Sequence, residues 1–315
     1  MTNAIEITSL TKTFGHFTAV SDITMTVRKG EYMGLLGPNG AGKSTMLKVI
    51  TGMIRPTSGT VLVNGIDCRK HRRAMESVGC VIETPECYPN FTPVEILSYV
   101  GRLRGIGRNE IQARIRDVLE EVRMWDWRNK KIGKFSKGMK QRVSLAQALM
   151  PDPDILIMDE PTSGLDPRGL MEVREILRDM KKNDRSLLIS THMLNEVSEV
   201  CDSVTVIRKG KTMMSGNVRD LSRKAEKNAT LEISLKRNMT KSFIEDLRDF
   251  NNVTYAERIN DYTFSVSFAG IDDRDGLIDM IRRHDLGLMT LNQKGSDLES
   301  FYMSLTGEDD KDDVR

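Results

Sequence analysis

Nine consecutive residues, Gly37-Pro38-Asn39-Gly40-Ala41-Gly42-Lys43-Ser44-Thr45, fit the pattern G-x-x-x-x-G-K-[ST] of a phosphate-cradling loop. Glycines let successive backbone N–H groups curl around phosphate oxygens without Cβ clashes. Lys43 can reach the β- and γ-phosphates of a nucleotide, and the Ser44 hydroxyl is suited to ligate Mg²⁺. A helix starting at Ser44 would aim its positive end at the same anion. A second group closes the apolar run Ile155-Leu156-Ile157-Met158 with the carboxylates Asp159 and Glu160. An apolar strand that delivers two carboxylates to a sheet's C-terminal edge suits metal and water chemistry. Asp159 would hold Mg²⁺ and Glu160 would polarise an attacking water. The plainer alternative is a surface acidic pair. His192 ends another apolar run, Ser186–Ser190, at the same expected edge, which makes a γ-phosphate contact plausible for a residue type that is more often structural.

Two further groups are weaker on their own. Ser136 is a good N-cap for a helix carrying Val143, Leu145, Ala146 and Leu149. With Gly138 and the helix's positive end it has the parts of an anion site, although a well-capped helix explains it equally. Phe14, beside the Gly15-His16 turn, has a ring that either stacks on a purine or simply packs.

These residues need strands and helices to hold them. Glu31–Leu36 reads as a short buried strand before the glycine-rich loop, and Ser44–Thr51 as the helix after it, ended by Gly52. Ile5–Leu10 and Thr18–Arg28 read as strands, and Thr60–Val63 with Ile66-Asp67 as a hairpin around Asn64-Gly65. Val78–Ile82 is a further apolar strand, stopped by Pro85 and Pro89. Thr92-Pro93-Val94-Glu95 then opens a helix with a cap, a proline at the first position and an acid at the third. Helical periodicity from about 90 to 150, without a strand candidate, predicts a helical insertion in an α/β frame. Leu170 to Met180 predicts an amphipathic helix, and Val204–Ile207 with Thr212–Met214 a hairpin.

After Asn217 the composition shifts. Residues 218–229 read as a charged helical linker, and 230–315 as a small domain. Its order is strand Leu231–Leu235, helix Thr240–Phe250, strands Val253–Arg258 and Thr263–Phe268, helix Asp272–Arg283 and strand Leu288–Leu291. That β-α-β-β-α-β order is ferredoxin-like. Leu298–Leu305 reads as a closing helix, with an acidic tail from Glu308.

The 315 residues are 39% hydrophobic and 29% charged, a globular composition, and the net charge of +2 gives no global field for nucleic acid. The Arg69–Arg73 cluster could touch an anionic surface but reads better as a solvated helix start. No run has the length of a transmembrane helix and no signal pattern opens the chain, so a cytosolic protein with at most a peripheral membrane role is expected. Cys68, Cys80, Cys87 and Cys201 lack paired metal-ligand spacing and read as reduced thiols.

Taken in order, these motifs resemble the ATP-binding cassette ATPases across about Ile5 to Met214. Gly37–Thr45 looks like the Walker A loop and Ile155–Glu160 like Walker B. Ser136–Arg142 looks like the family signature, Ser163-Gly164-Leu165-Asp166 like the D-loop, His192 like the switch histidine, and Phe14 like the aromatic that stacks on adenine. The signature, usually L-S-G-G-Q, here reads Phe135-Ser136-Lys137-Gly138-Met139. Glu83 stands where the family has the Q-loop glutamine, and an ionised carboxylate accepts hydrogen bonds without donating any. Both departures, with the Leu298–Gly307 ending, resemble the branch that serves drug- and lipid-type exporters.

The resemblance implies an α/β P-loop NTPase domain over 1–217, with a mixed sheet, an antiparallel β subdomain and a helical insertion, followed by the α+β domain. It implies a homodimer, or a heterodimer with a similar ATPase, that sandwiches two ATP molecules with Mg²⁺. Each ATP would lie between one copy's Gly37–Thr45 loop and the other's Ser136, Lys137, Gly138 and Met139. Ser163 to Asp166 would lie at the dimer contact. Lys43, Glu160 and His192 would be catalytic, and Ser44, Glu83 and Asp159 would hold the metal. A separate multi-span permease would bind beside Glu83, with the chain on the cytoplasmic face of the membrane. The alternatives are a soluble cassette ATPase acting on ribosomes or nucleic acid, and a nucleotide-binding regulator without turnover.

Overall fold

Strand register decides where the chemistry-bearing residues end up. The computed structural model describes residues 3–82, 88–181, 184–221, 230–250, 253–268 and 274–294. Cα proximity divides the chain into two units, Met1–Asn217 and Val218–Arg315.

The first unit contains two sheets. Strands β1 (Asn3–Phe14), β2 (Phe17–Arg28), β4 (Ser58–Val63) and β5 (Ile66–Asp67) form an antiparallel sheet in the order β2-β1-β4-β5. The Asn64-Gly65 turn has both residues at positive φ, 47° and 76°, as a tight hairpin between right-twisted strands demands. The second sheet has the order β10-β9-β3-β8-β7-β6, from β3 (Tyr32–Leu36), β6 (Val78–Val81), β7 (Ile155–Asp159), β8 (Ser186–Thr191), β9 (Ser203–Arg208) and β10 (Lys211–Asn217). Its β9, β3, β8, β7 and β6 are parallel, and β10 alone runs antiparallel. Every residue of β3 and β8 is buried, which explains why they read as unbroken apolar runs rather than alternating ones.

Helix α1 (Lys43–Ile50) lies in the core shared by the two sheets. Met46, Leu47, Val49 and Ile50 are buried in one cluster with Ile5, Ile7, Val20 and Ile23 of the antiparallel sheet and with Leu35, Ile157 and Leu188 of the parallel one. The helix begins one residue earlier than the sequence suggests, at Lys43, because Gly42 at φ 103° serves as its N-cap.

The segment between β6 and β7 is helical as expected, with α2 (Pro93–Leu103), α3 (Ile111–Glu121) and α4 (Lys137–Leu149). The capping box forms. Thr92 N–H donates to Glu95 Oε2 at 2.8 Å, and Glu95 N–H donates to Thr92 Oγ1 at 3.3 Å. The C-terminal end of α4 is closed by a residue from α3: Arg114 donates to the Leu149 and Met150 carbonyls at 2.5 and 3.2 Å. Helices α5 (Pro167–Met180) and α6 (Leu194–Val200) follow β7 and β8 in the chain.

The second unit has β11 (Thr230–Leu235), α7 (Lys241–Arg248), β12 (Val253–Arg258), β13 (Thr263–Phe268), α8 (Arg274–Arg283) and β14 (Leu288–Lys294). Its sheet order is β12-β13-β11-β14, antiparallel throughout, the arrangement of a split β-α-β fold. Phe243, Phe264, Val266, Leu277 and Ile281 form its own core. The expected helix at Leu298–Leu305, the linker beyond residue 221 and Glu83 lie outside the described residues.

One glycine fixes how α4 sits on the sheet. A Cβ at Gly79 in β6 would run into the Ala148 carbonyl oxygen, which belongs to the backbone of α4. Gly79→Ala is therefore expected to cost about 1–3 kcal/mol through overpacking, read as a lower midpoint in a denaturant titration.

Candidate active site

Three neighbouring parallel strands, β3, β8 and β7, deliver the candidate residues to one edge. Leu36 pairs with Thr191, and Asp159 with Ser190, so the strands end level. Two backbone hydrogen bonds continue the register past the strand ends. Gly37 N–H donates to the Thr191 carbonyl at 3.2 Å, and Glu160 N–H donates to the Ser190 carbonyl at 3.1 Å. The glycine-rich loop, the two carboxylates and His192 therefore face one crevice, the place where open α/β sheets bind ligands.

Close backbone approach shapes the loop. A Cβ at Gly37 would strike the Ile207 carbonyl, and one at Gly42 the Ala19 carbonyl, so β9 and β2 wall the loop on two sides. Ala41 O accepts from Gly210 N–H at 3.0 Å, and Gly210 O accepts from Ser21 N–H at 2.8 Å. These bonds tie the loop to the β9–β10 turn and to the antiparallel sheet.

Lys43 is only 4% exposed. Its ammonium donates to the carbonyls of Gly37 at 2.8 Å and Pro38 at 3.1 Å, and pairs with Glu160 Oε1 at 3.2 Å. The other oxygen, Glu160 Oε2, lies 3.3 Å from His192 Nδ1. Lys43, Glu160 and His192 thus form one chain of contacts, with Glu160 in the middle. Glu160 has φ 42°, an uncommon conformation for a residue with a side chain. Its N–H is also bonded to Ser190 Oγ at 3.1 Å. Asp159 accepts from the Ser190 hydroxyl, so one serine orients both carboxylate residues. Ser44 is exposed on the first turn of α1, and Asp159 is half-buried at the end of β7. Phe14 stands at the β1–β2 turn with 48% of its surface exposed and the Lys12 ammonium 4.7 Å from its ring centre.

The Ser136 group goes elsewhere. Ser136 caps α4, its Oγ accepting from Met139 N–H at 3.2 Å. Ser136 and Lys137 are exposed, Gly138 is buried and Met139 half-buried. Gly138 packs on Gly169 of α5, where a Cβ would come within 3.3 Å of the Gly169 Cα. Ser136, Gly138, Met139 and Arg142 line a cavity of about 330 Å³ with Asp166, Arg168 and Glu172. Arg142 pairs with Glu172 at 3.1 Å, and burial pulls the Arg142 pKa down. Among the described residues, no hydrogen bond or ion pair joins Ser136, Gly138 or Met139 to the phosphate loop. The turn Ser163-Gly164-Leu165-Asp166 leaves the crevice at Glu160, whose carbonyl accepts from Ser163 N–H at 3.1 Å, and ends at the N-cap of α5. Ser163, Gly164 and Asp166 are exposed.

Sequence reasoning passed over Ser190, which orients Asp159 and Glu160. The available signal was a polar residue closing an otherwise apolar buried strand. It also passed over Gly169, whose role appears only where two helices meet.

A phosphate loop between a buried strand and a helix, with acidic residues ending another parallel strand of the same sheet, defines a P-loop nucleoside triphosphatase. Comparisons narrow this. The family profile described as "ABC transporter" matches residues 20–163. The ABC transporter ATP-binding protein NatA of Bacillus subtilis (strain 168) is 41% identical over 205 residues, covering 64% of this chain and 83% of NatA. The bacitracin transport ATP-binding protein BcrA of Enterococcus faecalis is 33% identical over 310 residues, covering 98% of this chain and 97% of BcrA. Among solved structures, CbiO1 from Clostridium perfringens, part of the ABC transporter complex CbiONQ, is 28% identical with a TM-score of 0.64, covering 72% of this chain and 95% of CbiO1. The chain belongs to the ATP-binding cassette transporter family, as a subunit that binds nucleotide and hydrolyses ATP. Among the described residues no helix is long and apolar enough to cross a membrane.

Gly42 tests the loop geometry. Gly42→Ala places a side chain at positive φ and against the Ala19 carbonyl, so ATP affinity is expected to fall at least tenfold, measured by titration with a fluorescent nucleotide.

Proposed function

We propose that two copies of the chain, or one copy and a similar ATPase, close around two ATP molecules and that closure drives a separate multi-span permease in the direction of export. The observation that carries this reading is the position of the Ser136 helix end. It has a hydroxyl cap, a small residue and a helix's positive end, yet it is exposed and stands apart from the crevice that holds Lys43. A second copy supplies the missing partner: each ATP lies between one copy's Gly37–Thr45 loop and the other's Ser136, Lys137, Gly138 and Met139. The exposed Ser163–Asp166 turn then falls at the contact between copies. The name of BcrA, for bacitracin transport, supports the exporter branch.

In this reading Phe14 stacks on adenine, and the N–H groups from Gly37 to Thr45 hold the phosphates. An arriving γ-phosphate competes with Glu160 and the two carbonyls for the Lys43 ammonium. Once Lys43 turns to phosphate, Glu160 Oε1 is released to orient and deprotonate the attacking water, with His192 at its other oxygen. Lys43 and the loop N–H groups stabilise the charge that develops. Ser44 and Asp159 offer a hydroxyl and an oriented carboxylate, donors that fit a hard cation such as Mg²⁺. When bound, that ion supplies charge neutralisation at the phosphates. Glu83 is an expected third ligand that lies outside the described residues.

The permease would dock on the helical insertion. A cavity of about 600 Å³, lined by Leu103, Arg104, Ile106, Arg114, Met150 and Asp152, suits a cytoplasmic helix that carries both apolar and charged side chains. The chain then lies on the cytoplasmic face of the cell membrane. A nucleic-acid role gains little from the basic cluster. Arg69 and Lys70 are paired with Asp67 at 3.1 and 4.0 Å, and Arg73 with Glu76 at 3.9 Å.

Two substitutions test the reading. Glu160→Gln is expected to keep ATP binding, to reduce turnover at least a hundredfold and to accumulate an ATP-dependent dimer in size-exclusion chromatography. Hydrolysis at the parent rate would remove Glu160 from its assigned role. Ser136→Arg is expected to abolish that dimer while nucleotide affinity of the monomer stays within about twofold. A variant that still dimerises with ATP argues against the shared site.

A further inference from the structure

The backbone that carries Phe14 is held in a fixed place. Ser21 N–H donates to Gly210 O, and Gly210 N–H donates to Ala41 O, so one residue registers β2 to the phosphate loop. Strand β1 is pinned on its other side by Thr57. Thr57 N–H donates to the Thr11 carbonyl at 2.8 Å, and Thr13 N–H donates to Thr57 Oγ1 at 2.9 Å, one bond on either side of Lys12. Phe14 itself pairs with Phe17 across the Gly15-His16 turn. None of these bonds sets the plane of the Phe14 ring. Nearly half of that side chain's surface is open, and the last torsion of a phenyl side chain is broad.

One contact does bear on the ring. The half-buried Lys12 holds its ammonium 4.7 Å from the ring centre, within reach of the attraction between a cation and the negative face of an aromatic. Among the described residues no hydrogen bond or ion pair competes for that ammonium. Lys12 therefore covers one face of the ring and leaves one face for a ligand. The charge also matters to what can stack there. Two aromatic rings laid face to face repel through their like quadrupoles. A cation on the far face draws π density towards itself and lessens that repulsion at the near face.

We propose that Lys12 is a positioning residue for ATP: its ammonium covers one face of the Phe14 ring, fixes the ring plane and leaves the opposite face as a preset platform for adenine. This rests on the adenine contact assigned to Phe14 above. In this role Lys12 touches neither base nor phosphate and acts through Phe14 alone. A lysine that met the phosphates would act as a plain charge on any polyphosphate. Inorganic tripolyphosphate separates the two roles, because it carries the phosphate charge without a base.

The test is calorimetric titration of the full-length chain with ATP and with inorganic tripolyphosphate, for the parent, Lys12→Met, Phe14→Ala and the double variant, together with kcat at saturating ATP. Methionine keeps an unbranched stem and removes the charge. Lys12→Met is expected to weaken ATP about two- to fivefold, the range of a partly exposed cation–ring contact. Its kcat and its tripolyphosphate affinity stay within about twofold of the parent. Phe14→Ala weakens ATP as well, and adding Lys12→Met to it causes no further loss. Unchanged ATP affinity in Lys12→Met overturns the proposal. So does an equal loss for tripolyphosphate, which places the ammonium on the phosphates, or a loss that persists in the Phe14→Ala background. If Phe14→Ala binds ATP like the parent, the adenine contact of Phe14 fails first and this inference with it, an outcome read from that single variant.

Discussion

Two backbone hydrogen bonds, Gly37 N–H to Thr191 O and Glu160 N–H to Ser190 O, hold the site together. Each lies one residue beyond the end of a parallel strand and carries the register of β3, β8 and β7 out of the sheet. The phosphate loop, the carboxylates and His192 belong to three separate stretches of chain. They meet because a parallel sheet brings all its C-terminal ends to one edge, and because these two bonds prevent the segments beyond that edge from splaying. The positive φ of Glu160 is a local cost of that constraint, offset by the two bonds its N–H makes to Ser190.

The site's electrostatics follow from the same geometry. A lysine that is 4% exposed needs acceptors, and Lys43 has two carbonyls of its own loop together with Glu160. Phosphate oxygens offer the same kind of contact with more charge. In the proposed mechanism, nucleotide would exchange partners with a cation already held in place, and the carboxylate freed would be the one beside His192. Binding and activation of the base would then be one event because they share one ammonium group.

The helical insertion is fixed to this frame by contacts of a different kind. Gly79 admits the backbone of α4 against β6, Arg114 closes the end of α4, and Arg142 joins α4 to Glu172 of α5. Gly138 and Gly169 bring the starts of α4 and α5 together backbone to backbone. The exposed Ser136 end and the turn from Ser163 to Asp166 are thereby joined through the packed starts of α4 and α5.

Much of this was legible in the chain itself. The spacing Gly37 to Thr45, the apolar runs ending at Asp159 and His192, the capping box at Thr92 and the order of elements in the second unit are local patterns. They are imposed by backbone sterics, by 3.6- and 2-residue periodicities and by burial of whole strands, so they can be read without neighbours. The sequence by itself determined that a phosphate loop, two carboxylates and a histidine would each end a strand or open a helix. Only the tertiary structure decided which of them touch: that Glu160 bridges Lys43 and His192, that Ser190 orients both carboxylate residues, and that Ser136 has no bond to the phosphate loop among the described residues. Those contacts span 30 residues or more, or depend on how one helix face meets another. Strand register and close backbone approach set them, and both arise only when the whole sheet has formed.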